Sequence, residues 1–362
     1  MGHNFYFAFT VVAARGVPWE VALGGVALAG FLFIVTAGFG LRERLITAIP
    51  NSLKHAIATG IGLLITTIGL QWAGIIVASP GTLVTIGDLR EPPVLVALLG
   101  LVVTSVLWVR GVRGAILYGI VITTVLAWGA GVARFHGVAS WPPSILPTLG
   151  HLDVLGALQM EMVPVIFVFF FLALFDSVGT LVAVGDQAGL LQHGTLPKAR
   201  GALLADAIGT TAGAALGTST VTAYVESATG VAAGGRTGLT AVVIALLFLV
   251  ALFLSPLVAM VGGGYDVGEG RILYPVVAPA LILVGSMMVS GIRHVVWSDP
   301  TEALPAFLTL TVMPLSVSIT DGIAFGFVSY ALLKVVSGRR HEVHWLVFLC
   351  AMLFILRYAL LT

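Results

Sequence analysis

Charge is what this chain has least of. Asp, Glu, Lys and Arg together make up 9% of its 362 residues, while 59% are hydrophobic. A soluble domain carries roughly 25% charged residues. A chain this poor in charge cannot cover itself with a water-facing surface, so it is read as an all-α polytopic membrane protein. A transmembrane barrel would show ~10-residue segments of alternating polarity; the apolar runs here are long and continuous. The net charge of +1 gives no reason to expect nucleic acid. A single cysteine, Cys350, excludes an internal disulfide and a thiolate metal cluster. The eight histidines are scattered, and HEVH at 341–344 lacks the i, i+4 spacing of a zinc helix. No metal and no cofactor is expected. Residues 1–14 carry no basic stretch of the kind that opens a cleavable signal peptide.

What is present is a series of spans. A crossing helix needs ~20 apolar residues. Candidates are 18–39, 51–74, 92–110, 114–134, 162–185, 201–217, 236–263, 273–292, 303–319, 321–337 and 344–361. The last either spans or lies in the interface. Two stretches, 1–14 (MGHNFYFAFT…) and 218–231 (TSTVTAYVESATG…), are too short or too polar for ordinary spans. Their Val, Thr, Tyr and Phe beside glycine read as extended chain joined to half a helix. Irregular backbone at membrane depth is tolerated only where protein buries it or it lines a cavity.

Basic residues cluster at Arg42, Arg44 and Lys54, at Arg110 and Arg113, at Lys198 and Arg200, at Arg236, at Arg293, and at Lys334, Arg339 and Arg340. If each segment crosses once, nearly all of these share one side, which the positive-inside rule makes cytoplasmic. Arg90, Arg134 and Arg271 fall outside. RGAILYGIVITTVL (113–126) resembles DGIAFGFVSYALL (321–333), with a second glycine one turn after the first. Paired breaks in two similar halves point to a secondary transporter built from inverted repeats.

One run, FFFLALFDSVGT (169–180), places Asp176 in otherwise apolar sequence. A carboxylate at bilayer depth costs at least ~2.5 kcal/mol and marks a functional site by default. Asp176 and Thr180 are spaced i, i+4 and share a helix face with room beside Gly179. The bland alternative is a structural carboxylate paired with a buried donor. Glu226 lies between Tyr224 and Ser227 in the second break, and a solvent-exposed loop is its plainer reading. Asn4, with Phe5 and Phe7, is the counterpart in the first break, against the alternative of an interfacial N-terminus. Gly209, Gly213 and Gly217 read as a small-residue face for a neighbouring helix. Asp206 reads as a structural partner or cap. No nucleophile elbow, P-loop or nucleotide-hydrolysing domain is present, so an enzyme is not expected and transport would run on an ion gradient.

The stretches ALFDSVGTLVAVGDQAG, GTSTVTAYVESATGVAAGGRTGLTAVV and LPAFLTLTVMPLSVSITDGIAFGFVSYALLK resemble the AzgA-like purine permeases of the nucleobase–ascorbate transporter superfamily. The resemblance runs from Met1 to about Gly338. It implies a 7+7 inverted-repeat fold of core and gate domains, with a short strand in each of two broken helices. It implies proton symport of adenine, guanine or hypoxanthine across the cell membrane, with purine, proton and lipid as partners and a homodimer as a possible assembly. Mapped on this chain, the first repeat covers 1–134 (core 1–39, gate 40–134). A loop follows at 135–161. The second repeat covers 162–338 (core 162–263, gate 264–338), and 339–362 form a hydrophobic tail. By motif, Glu226 and Asp176 are the two carboxylates of the binding set; Glu226 is read as the main substrate anchor and Asp176 as the proton-coupling group, with an exchange of the two roles as the alternative. Asn4, Thr180, Tyr224, Ser227 and Phe5 complete the binding set. The family pattern has two segments ahead of the first break that this sequence does not contain. The expectation is that Met1 is an internal methionine and that the first repeat is incomplete. A uracil, xanthine or other anion transporter, a non-transporting fragment and an intramembrane enzyme are the other readings.

Overall fold

The computed structural model describes the chain except residues 1, 39–47, 136, 189, 191–197, 225–226, 233, 269 and 362. A few further side chains within helices, those of Phe5 and Asp176 among them, also lie outside the described set. The chain forms two compact units. One comprises residues 1–61, 144–232 and 290–362, the other 62–143 and 233–289.

In the first unit, α1 (Gly2–Phe5) continues into a wider π-type winding over Tyr6–Ala14. This corrects the expected strand in the first break: the segment is helical. Packing selects helix here, because Tyr6 and Phe7 lie against Phe169, Tyr6 edge-on at 5.1 Å between ring centroids. Helix α2 (Trp19–Gly38) follows, then α3 (Asn51–Trp72), which starts in this unit and ends in the other. After the short α6 (Val154–Ala157) come α7 (Val163–Gln187), α8 (Ala199–Leu216) and the six-residue α9 (Ser227–Ala232). Between α8 and α9, Thr218–Tyr224 runs without helix or strand; the non-helical chain read for the second break is there, but the strand the resemblance implied is not formed over these residues. Helices α13 (Pro300–Leu315), α14 (Ile319–Val336) and α15 (Trp345–Leu361) complete the unit. Its core joins Val11, Ala22, Val26, Ala29, Met162, Val165, Ile166, Phe169 and Ala214. The hydrophobic tail is thus a helix, with Leu346, Val347, Cys350 and Phe354 buried on one side of it.

The second unit holds α4 (Pro92–Val109), α5 (Ala115–Gly129), α10 (Gly238–Phe253), α11 (Ser255–Gly262) and α12 (Ala278–Met288). It also carries two hairpins, β1 (Ile76–Ser79) with β2 (Leu83–Ile86) and β3 (Tyr265–Asp266) with β4 (Ile272–Leu273). Among the described residues these are the only strands, and neither lies in a break. The span expected over 236–263 is broken. Its halves α10 and α11 meet at 85°, because Pro256 has no N–H to continue the ladder and its ring crowds the preceding turn. Every side chain of α10 is at least partly exposed, and Leu239, Leu247 and Phe248 are largely so, as a lipid-facing helix requires.

Helix crossings share one device. Gly30 faces Thr211, Gly100 faces Thr123, Gly119 faces Thr104, Gly285 faces Thr66 and Gly326 faces Thr309. Each threonine hydroxyl donates to a carbonyl four residues back on its own helix, at 2.7–3.0 Å. A side chain at any of these glycines would collide; a Cβ on Gly30 would sit 2.5 Å from the Thr211 hydroxyl. Gly119 and Gly326 are the second glycines of the two similar segments read from the sequence. The face at Gly209 and Gly213 does not receive a helix. It receives Val221 of the extended segment, whose Cγ2 would lie 2.8 Å from a Cβ on Gly213.

Among the described residues, three helices are long and apolar enough to cross a membrane: Trp19–Thr36 within α2, α3 and α4. The bent pair α10–α11 makes a fourth. Others fall short by length: α5, with 15 residues, spans about 22 Å against a hydrocarbon core of ~30 Å.

Candidate functional site

The two sequence breaks meet inside the first unit. The Asn4 side-chain carbonyl accepts hydrogen bonds from Ser219 Oγ at 2.8 Å and from Thr220 Oγ1 at 3.4 Å. With Oδ1 engaged, Asn4, which is exposed, has its amide donors to offer. Ser219 and Thr220 were not singled out from the sequence. The signal available was only their place in a polar, β-rich run.

The extended segment is fixed on its other side by α8. Thr210 Oγ1 donates to Val221 O at 2.6 Å, and the Ala223 N–H donates to Asp206 Oδ1 at 3.2 Å. The other Asp206 oxygen accepts from the buried Ser177 hydroxyl of α7 in a short hydrogen bond. Asp206 therefore acts as the structural partner expected of it. It ties the helix that carries Asp176 to the backbone just before Tyr224. Extended backbone in a membrane protein must have its polar groups met by protein, and Thr210 and Asp206 do that here.

Of the expected site residues, Thr180 lies in α7 with 3% of its surface exposed. Tyr224 is 39% exposed, and its carbonyl accepts from the Ser227 N–H at 3.1 Å. Ser227 is exposed and opens α9. Asp176 is within α7 by its backbone, while its side chain and that of Phe5 lie outside the described residues. Glu226 lies outside them altogether. The Phe7 ring, half-buried, is tilted against Phe169 at 6.4 Å. One further group lies on the same segment: among the described residues, Thr222 Oγ1 is enclosed and has no hydrogen-bond partner. A buried hydroxyl left unpaired costs ~1–3 kcal/mol.

A second polar cluster stands apart from this site. Lys334, 1% exposed at the end of α14, lies 3.0 Å from Glu302 and 2.8 Å from Glu342. Arg339 reaches Asp299 at 2.6 Å and Glu342 at 2.7 Å. The Arg339 guanidinium holds the Glu342 carboxyl down at about 2 and keeps Asp299 well below the usual carboxylate range. Asp299 also caps α13 through the Thr301 N–H. This knot fastens the open end of the α13–α14 pair to the turn that leads into α15.

A family model described as Permease family, Xan_ur_permease, matches residues 1–325. The adenine permease AdeP of Escherichia coli K12 is 45% identical over 358 residues, covering 99% of this chain and 78% of the relative. The guanine/hypoxanthine permease PbuO of Bacillus subtilis 168 is 42% identical over 367 residues, covering 100% and 83%. Among solved structures, the transmembrane domain of the cyanobacterial bicarbonate transporter BicA aligns with a TM-score of 0.63. Its sequence identity is 19%, over 87% of this chain and 79% of that one. That likeness is one of fold alone. The chain thus belongs to the Xan_ur_permease family, resembles its AzgA-like branch, and is a multi-pass transporter of the cell membrane rather than an enzyme.

Proposed function

We propose that the chain imports purine nucleobases by proton symport. The observation that carries the substrate class is the 42–45% identity, over nearly the whole chain, to permeases named for adenine and for guanine and hypoxanthine. The site chemistry supports it. A purine edge alternates N–H donors with ring-nitrogen acceptors. The Asn4 amide, with its oxygen held by Ser219 and Thr220, presents donors to a ring nitrogen. The unpaired Thr222 hydroxyl can serve either kind of atom, and Tyr224 brings an aromatic face. Glu226 would accept from the purine N–H groups as the main anchor. Asp176 would take the coupled proton, with Thr180 one turn along on the same face.

In this reading the repeats run 1–134 and 162–338, with core and gate parts that move against each other. The matched crossings Gly119–Thr104 and Gly326–Thr309 in the two similar segments support such a symmetry.

The test is uptake of radiolabelled hypoxanthine and adenine into purine-transport-deficient cells at two external pH values, with membrane insertion confirmed. Uptake rises at acid pH and unlabelled purines compete. Asp176→Asn abolishes accumulation or its pH dependence, and Glu226→Gln chiefly raises KM. Normal transport by both variants would sink the residue assignment. Uptake of uracil in place of purines would move the substrate class.

A further inference from the structure

The start of α3 and the turn after α12 bring four basic side chains together in the first unit. The His55 and His294 rings stack at 4.9 Å between centroids, tilted by 33°. Arg293 Nε donates to His294 Nε2 at 3.2 Å. Lys54, beside His55 in the first turn of α3, reaches only the neutral Asn51 side chain, at 3.5 Å. Among the described residues no carboxylate lies within ion-pair range of any of the four. Elsewhere in this unit basic groups are answered: Lys334 and Arg339 share three carboxylates. Two cations and two imidazoles drawn together with no acid among the described residues repel one another, and an anion relieves that repulsion.

The surroundings indicate which anion. Helix α3 is one of those long enough to cross the membrane, so its first turn sits at a membrane–water boundary. That end carries the cluster read as cytoplasmic. The segment next to Arg293 and His294 exposes apolar surface: Ile292 is 36%, Val296 48% and Trp297 44% exposed. The Trp297 indole N–H is tied to Ile292 O at 3.1 Å, which holds the ring at the edge of the cluster. The Val296 N–H is anchored on Ser52 Oγ of α3 at 3.4 Å. Tryptophan at the boundary and basic groups between helices on the cytoplasmic side are the marks of lipid-headgroup recognition. We propose that Lys54, His55, Arg293 and His294 form a binding site for the phosphate headgroup of an anionic phospholipid, with Ile292, Val296 and Trp297 against its acyl chains.

The experiment is native mass spectrometry of the full chain, purified in detergent and titrated with phosphatidylglycerol or phosphatidylcholine. Phosphatidylglycerol is retained and phosphatidylcholine is not. Each cation removed near an anionic surface weakens binding by about fivefold. The exposed-site variant Arg293→Gln therefore weakens retention about fivefold, and Lys54→Gln with Arg293→Gln roughly 25-fold. Arg113→Gln, which removes a cation from the turn between α4 and α5 instead, leaves retention unchanged. Should the double variant fail to fold, the Arg293→Gln titration decides alone. Equal retention of the two lipids, unchanged retention in Arg293→Gln, or displacement of phosphatidylglycerol by millimolar inorganic phosphate would overturn the proposal; the last would mean a soluble-anion site.

Discussion

Single residues in this chain fall into two kinds: polar groups already matched and polar groups left open. Lys334 belongs to the first kind. Lys334→Met leaves Glu302 and Glu342 facing each other, and it lowers stability by about 2–3 kcal/mol. That is below the value for fully enclosed pairs, because the carboxylates reach water; thermal unfolding in detergent reads it. The knot also has a defined pH range. Glu342 titrates near 2 when folded and near 4.3 when unfolded. Its contribution is therefore complete at pH 7 and at pH 5, and is lost as pH falls from about 4 towards 2. The difference in Tm between the native chain and Glu342→Gln is expected to hold from pH 7 to 5 and to shrink below 4. Thr222 belongs to the second kind. Thr222→Val keeps the shape and removes the unpaired hydroxyl, so Tm stays level or rises while the KM for purine increases severalfold. A rise in neither Tm nor KM would mean that water, not substrate, meets that hydroxyl. Asp176 stands out in the sequence because charge is rare there. Ser219 and Thr220 do not, since their partner Asn4 lies 215 and 216 positions away, and neither does the Lys334 knot, which takes in Asp299, 40 positions before Arg339.

Elements were more legible than residues. Helices were placed within a few residues wherever an apolar run ended at Pro, Gly or charge, as with Asn51–Trp72 and Pro92–Val109. Several elements escaped, the two hairpins outside the breaks and two others whose cause is visible. The first break is wound as helix because Phe169 offers its aromatics a surface that β-propensity cannot anticipate. The span at 236–263 breaks at Leu254 because one proline weighs more than the apolar composition around it. The glycine spacing at 209–217 signalled close approach correctly but not what approaches. Gly–Thr crossings make a direct test possible. Gly326→Ala places a methyl on the Thr309 hydroxyl and costs about 1–3 kcal/mol as overpacking. Thr309→Ala removes that hydroxyl, leaving Leu53 Cδ2 at 3.0 Å as the nearest remaining neighbour. The double variant recovers part of the loss in Tm, and strict additivity of the two changes would refute the pairing.

For the whole molecule, scarcity of charge alone determined class and location: a membrane protein of many apolar helices. The symmetry of the two halves showed only as a faint likeness between residues 113–126 and 321–333. Two packings can keep the same Gly–Thr contact while most other side chains drift. Those crossings have one more implication. Each threonine hydroxyl is bonded back to its own helix, so these helices touch there without exchanging a hydrogen bond. A small slide or tilt at such a contact strands no polar group in hydrocarbon and has no bond to break first. Both members of every such pair lie in the same compact unit, so the crossings let each unit pack closely while asking no helix to lend its neighbour a polar group.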